Sequence, residues 1–165
     1  MTVLEAEDAV SPALGQQLKI IALAMGGGLT MMAGLILWSY LNAAAKTPTL
    51  NEVRSINTLT IAIMVAALLA IVASEVAWRF LLKTSGAFGV RVQIAYIVRL
   101  ACREGAGLLG MTVTYVAALN GVLRAYPAYW VNLVPFALFL GFLAAHFPSA
   151  EKLTAEARNV LDSGL

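Results

Sequence analysis

A chain of 165 residues with 61% hydrophobic and 12% charged residues is too apolar for a soluble domain, which carries about 25% charge. A net charge of +2 with no basic patch among aromatics excludes a nucleic-acid partner. The single Cys102 excludes an intramolecular disulfide framework.

The charges are clustered. Residues 20–45, 55–74 and 105–123 hold none, and residues 125–150 hold only His146. A bilayer core of about 30 Å needs roughly 20 apolar residues as a helix. The sequence therefore predicts an all-α, polytopic membrane protein: four transmembrane helices in an antiparallel up-down bundle, followed by a short C-terminal amphipathic helix.

In chain order, residues 1–18 form an acidic tail, "MTVLEAEDAVSPALGQQL". It lacks the basic start of a secretory signal, so the apolar segment after it is expected to be a mature span. The transmembrane domain covers residues 19–147, with spans over 19–41, 55–82, 93–120 and 129–147. Trp38 and Tyr40 close the first span, Trp78 lies at the inner end of the second, and Tyr126, Tyr129 and Trp130 open the fourth as interface anchors. The loops are short, which predicts that consecutive helices are antiparallel neighbours. Residues 148–165 read as an amphipathic helix capped by Ser149, with Glu151 and Glu156 early and a thin stripe of Leu153, Val160 and Leu161. This tail is expected on the membrane surface or on a partner.

The Lys/Arg distribution sets the orientation. Lys19, Arg79, Lys83, Arg91, Lys152 and Arg158 fall on the side of both termini, against Lys46, Arg54 and Arg124 on the other. Both termini are therefore expected in the cytoplasm, and the location is a bacterial cytoplasmic membrane.

Small residues recur at every fourth position: Ala22, Gly26, Thr30 and Gly34; Ala62, Ala66, Ala70 and Ser74; Cys102, Ala106, Gly110, Thr114 and Ala118. Lipid gives no hydrophobic drive for helix association, so helices meet along such seams. The seams either close the bundle or face another copy, the first-span seam (Gly26, Thr30, Gly34) being the main candidate for the latter. "GGGLTMM" (26–32) and "GAGLLGM" (105–111) also echo each other, through chance or an ancestral duplication.

The embedded charges carry the functional question. By the helical rise of 1.5 Å, Glu104 lies about 24 Å from the outer end of its span, roughly 6 Å inside the cytoplasmic boundary. Glu75 lies at nearly the same level. Glu75, Arg79, Arg99, Arg103 and Glu104, joined by His146, are expected to form one inner-leaflet layer, with Glu75 and Arg79 an i,i+4 pair. The layer is either an ion-paired collar or an ion or proton site centred on Glu104. No spacing of histidine, cysteine or carboxylate suggests a metal site. No nucleophile motif or phosphate loop supports catalysis, and no cofactor is implied.

The stretch "RLACREGAGLLGMTV", with Glu104, Gly107, Leu108 and Gly110, resembles the carboxylate helix of rotary ATPase proteolipid (c-type) subunits. The resemblance covers about ten residues and implies an ion-translocating carboxylate. A proteolipid hairpin divides its glycines and its mid-membrane carboxylate between two helices, whereas one helix carries both here. The whole chain is also similar to a group of bacterial four-helix membrane proteins that share "R-L-A-x-x-E-x-x-x-L-x-G" and a fourth span ending in "FPS/T-x-E-K/R", here Phe147, Pro148, Ser149, Glu151 and Lys152. That likeness implies the fold and no activity. Two functions remain: a non-enzymatic protein that packs laterally with itself or a larger membrane complex, or a proteolipid-like ion- or proton-translocating subunit using Glu104.

Overall fold

The computed structural model describes residues 9–42 and 46–163. Residues 1–8 of the acidic leader, residues 43–45 of the first loop and the last two residues lie outside them. The described chain is helical throughout, with no strand among the described residues. Three long helices come first: α1 (Pro12–Asn42), α2 (Leu50–Leu82) and α3 (Phe88–Leu119). A short α4 (Val122–Ala125) and a 3-10 helix (Pro127–Leu133) lead into α5 (Val134–Ala145), and α6 (Ala150–Asp162) ends the chain.

The helices run further than the apolar runs. α1 begins at Pro12 rather than Lys19, and α2 begins at Leu50 rather than Ser55. Hydropathy marks where a helix enters the apolar layer, whereas caps mark where it starts. At α2 the start is a capping box: Thr49 accepts from the Glu52 N–H, and the Glu52 carboxylate accepts from the Thr49 N–H. Ser149 caps α6 as the sequence indicates, accepting from the Lys152 N–H.

Three segments are long and apolar enough to cross a membrane: α1, α2 and the continuous Pro127–Ala145 segment. The third expected span, α3, is not among them because Arg91, Arg99, Arg103 and Glu104 crowd the half nearer its start. The last segment is also not the single α-helix expected. Its first 7 residues are 3-10 and the next 12 are α. The 3-10 rise of about 2.0 Å against 1.5 Å brings the composite to roughly 32 Å, enough for a bilayer core. Pro127 opens the 3-10 turn and Pro135, with no N–H to donate, sits where the α form takes over.

α3 is the hub, packing against α1, α2, α5, the 3-10 helix and α6. α1 and α2, consecutive and joined by a short loop, scarcely touch because α3 lies between them. The expectation that all consecutive helices are neighbours fails at this pair. The loop instead passes over the far end of α3. Gly121 has φ +73°, and a Cβ there would lie 2.3 Å from the Lys46 carbonyl oxygen, so only glycine fits. Arg124 ties the same end by donating to the Tyr40 carbonyl at 2.6 Å, and Tyr40 meets Trp130 edge-to-face at 5.3 Å.

The seams divide between inside and outside. On α3, Ala106, Gly110 and Thr114 are all buried. A Cβ on Gly110 would lie 2.2 Å from the Asn132 carbonyl oxygen, and one on Gly107 would lie 3.5 Å from the Phe136 Cα. This seam closes the bundle. On α1, Gly26 faces Leu143 of α5, whereas Thr30 and Gly34 are exposed. The seam of Gly26, Thr30 and Gly34 is therefore not one surface. A strict four-residue repeat drifts by about 40° per step around a helix of 3.6 residues per turn, and the two steps from Gly26 to Gly34 carry it off the buried face.

The tail also differs from expectation. α6 lies across the end of its own bundle, where Leu153 and Ala157 are buried and Val160 and Leu161 pack against the core. Its apolar stripe is thus covered by the same chain. Val10 donates its N–H to Thr154 Oγ1 at 3.1 Å, so both ends of the described chain meet on this side of the bundle.

Candidate functional site

On α3, Tyr96, Arg99, Arg103, Ala106, Gly110 and Thr114 follow one another at intervals of three or four and so share a stripe. The upper part of that stripe is small so that the 3-10 segment can approach. Its lower part holds the two arginines where α2, α5 and α6 converge.

Arg99 is the centre, and it is only 7% exposed. Its Nε and Nη2 donate to the two carboxylate oxygens of Glu75 at 2.9 and 2.8 Å, a fork on a fork. Its Nη1 donates to Glu156 of α6 at 3.3 Å. The guanidinium lies 5.2 Å from the Trp78 ring and 4.9 Å from the Phe142 ring, within cation–π range of both. Arg103 donates to Glu75 at 2.5 Å and lies 4.2 Å from the Phe142 ring. His146 Nδ1 meets the other Glu156 oxygen at 2.9 Å, its ring stacks on Phe142, and its carbonyl accepts from the Tyr96 hydroxyl at 3.1 Å. Two carboxylates balance two guanidinium groups.

The members of this charged cluster differ from those of the sequence reading. Glu75, Arg99, Arg103 and His146 come together. Arg79 does not join: it is exposed, and Glu75 takes its cations from α3. An i,i+4 pair within one helix contributes about 0.2–0.5 kcal/mol, less than a bidentate, largely buried guanidinium–carboxylate contact offers. Glu104 does not join either. Sequence neighbours on a helix point about 100° apart, so Arg103 turns into the layer while Glu104 turns out of it. Glu104 is partly exposed and pairs with none of the described residues.

Sequence reasoning missed Glu156, Trp78, Phe142 and Tyr96 as members. The signal for Glu156 was its place on the same side of α6 as Leu153 and Val160, three and four residues away. The apolar stripe of the tail carries a carboxylate, and a stripe that docks brings that charge with it.

Among the described residues, no group of three His, Cys, Asp or Glu side chains could hold a metal ion. The arrangement neutralises and immobilises charge at the point where three helices and the tail meet. No family model, curated protein or solved structure matches the chain.

Proposed function

We propose that this protein is a small, non-enzymatic integral membrane protein that packs laterally, as a homo-oligomer or as an accessory or scaffold subunit of a larger membrane complex. In this reading α3 also crosses the membrane, with its charged stripe covered by α2, α5 and α6. The side holding α6 faces the cytoplasm of a bacterial cell, following the six-to-three excess of Lys and Arg.

The observation that carries the reading is the closure of the charged layer. Arg99 is gripped by Glu75, Glu156, Trp78 and Phe142 at once. Such a group sets depth and register and has no freedom to exchange an ion. The outer surface is correspondingly plain: Leu23, Met31 and Trp38 on α1 and Leu68, Val72 and Val76 on α2 are exposed, as suits contact with lipid or other helices.

A second reading, translocation of an ion or proton by Glu104, is favoured by one observation. That carboxylate stands outside the closed layer without a partner among the described residues. The two readings separate cleanly. The native mass of the purified protein in a mild detergent should exceed that of one chain with its micelle, and proteoliposomes should show no proton or sodium flux. A flux abolished by Glu104→Gln overturns the scaffold reading in favour of the second.

A further inference from the structure

α2 is long and apolar enough to cross a membrane, and its 33 residues end at Leu82. At 1.5 Å per residue that is about 50 Å, against roughly 40–45 Å for a bilayer with its headgroups, so Leu82 lies at headgroup level. Arg91 is tied to that end. Its Nη1 donates to the carbonyl oxygens of Leu82 and Thr84, and its guanidinium lies 5.8 Å from the Phe88 ring. The last carbonyls of a helix have no partner within it, and Arg91 supplies one.

The other two arginines in this half of α3 each meet a carboxylate: Arg99 and Arg103 both hold Glu75. Arg91 meets neutral carbonyls, and no carboxylate among the described residues pairs with it. Its Nη2 donates to none of the described residues and is not enclosed, whereas its Nε is buried without a partner. A guanidinium fixed by two carbonyls, with its charge uncompensated, is a preset donor for an anion.

Arg91 opens onto a cavity of about 300 Å³ between the start of α3 and the end of α6, lined by Phe88, Arg91, Arg158, Leu161 and Asp162. That volume is at the lower end of the range for small-ligand sites. Two guanidinium groups against one carboxylate give the lining one net positive charge, and a phosphodiester carries one negative charge. Phe88 and Leu161 make part of the wall apolar. An apolar wall suits a phosphate joined to hydrocarbon and does nothing for a free anion. A choline headgroup would bring a further cation toward Arg91 and Arg158.

We infer that this cavity binds the phosphate of an anionic phospholipid from the adjacent leaflet. Basic pockets at the membrane boundary recognise such headgroups by their charge. Phe88 and Arg91 belong to α3 and Arg158 and Leu161 to α6, so the bound lipid joins the tail to the hub helix. The inference goes beyond both readings of function and stands whether the chain is a scaffold or moves an ion.

The test strips lipid from the purified full chain in a neutral detergent, adds phosphatidylglycerol or phosphatidylcholine, and counts bound lipid by native mass spectrometry. Phosphatidylglycerol should bind about tenfold more tightly, the scale of one hydrogen bond to a charged group. Arg91→Gln should remove that preference. Lys152→Gln, which removes an exposed cation of α6 outside the cavity, should leave it. Arg158→Gln should weaken the binding of phosphatidylglycerol and Asp162→Asn should tighten it, a pair of opposite effects that decides the matter even if Arg91→Gln does not fold. Equal binding of the two lipids overturns the inference. So does an equal loss in Arg91→Gln and Lys152→Gln, the mark of diffuse surface charge, or a change of the same sign in Arg158→Gln and Asp162→Asn. Inorganic phosphate that displaces phosphatidylglycerol and binds with the same dependence on Arg91 assigns the cavity to a free anion and overturns the lipid as its ligand.

Discussion

Replacing Gly110 by alanine should destabilise the protein, although the same change in an exposed helix stabilises it. Alanine is favoured over glycine within a helix by about 1 kcal/mol. At Gly110, however, the new Cβ would lie 2.2 Å from the Asn132 carbonyl oxygen and 3.3 Å from its carbon. The obstacle is main chain, so no side-chain rotation relieves it. The 3-10 helix would have to move by about 1 Å, against the anchors that Asn132 makes to Thr60 Oγ1 and the Tyr129 carbonyl, each at 3.0 Å. Overpacking costs about 1–3 kcal/mol, occasionally more, and an immovable contact belongs at the upper end. The net effect should be a loss of about 2 kcal/mol. Gly34→Ala is the control, because a Cβ there meets nothing within 4 Å; it should be neutral or stabilising by up to about 1 kcal/mol. Reversible unfolding in mixed micelles of rising dodecyl sulfate fraction reads both. If Gly110→Ala is as stable as Gly34→Ala, the 3-10 segment does not rest on α3 and the assignment of the α3 seam to the interior is wrong.

Glu75→Gln and Arg103→Met should be coupled by about 0.5–3 kcal/mol in a double-mutant cycle read by the same unfolding assay, whereas Arg103→Met and Glu104→Gln should add within about 0.5 kcal/mol. The reverse pattern would return Glu104 to the charged layer. Glu156→Gln should weaken the grip on both Arg99 and His146 and speed amide exchange along Ala150–Asp162 in α6, leaving exchange at the α2–α3 contact unchanged; uniform acceleration would show that α6 holds the bundle together rather than resting on it. Thr49→Ala should remove the capping box of α2 at a cost of about 1 kcal/mol, and a silent substitution would mean that packing alone starts the helix.

What the sequence discloses depends on the range of the cause. The long apolar runs and the Ser149 cap are local features, and each is written within a few residues. The three-way junction at Arg99 is not local: Glu156 is 57 residues away along the chain, and its role follows only once the tail is known to fold back. Depth along the helix puts Glu104 level with the layer, yet a shared depth does not give a shared face. The relation of α1 to α2 is hidden for another reason. Loop length bounds how far apart two helices stand, and a loop from Asn42 to Leu50 still leaves room for a third helix between them. The 3-10 turn had a visible mark in "YPAYWVNLVP", whose two prolines bracket it.

The way α2 is held shows what the buried polar groups accomplish. Ile61, Val65, Leu68, Leu69, Val72 and Val76 leave most of its surface open to lipid. In lipid, apolar contact with α3 gains little over apolar contact with acyl chains, so small residues and polar ties must fix the helix. Among the polar ties of α2, two join it to the bundle at well-separated levels. Thr60 receives the Asn132 amide from the 3-10 segment, and Glu75 receives Arg99 and Arg103 from α3. The two sites are 15 residues apart, about 22 Å along the axis. Two attachments at that separation fix both the rotation of α2 and its tilt, which one attachment would leave free. The embedded arginines follow from the same need. A charge at this depth is costly until it is paired, so only one register of α2 against α3 satisfies Arg99, Arg103 and Glu75 together. Glu104, turned out of the charged layer, contributes nothing to that register.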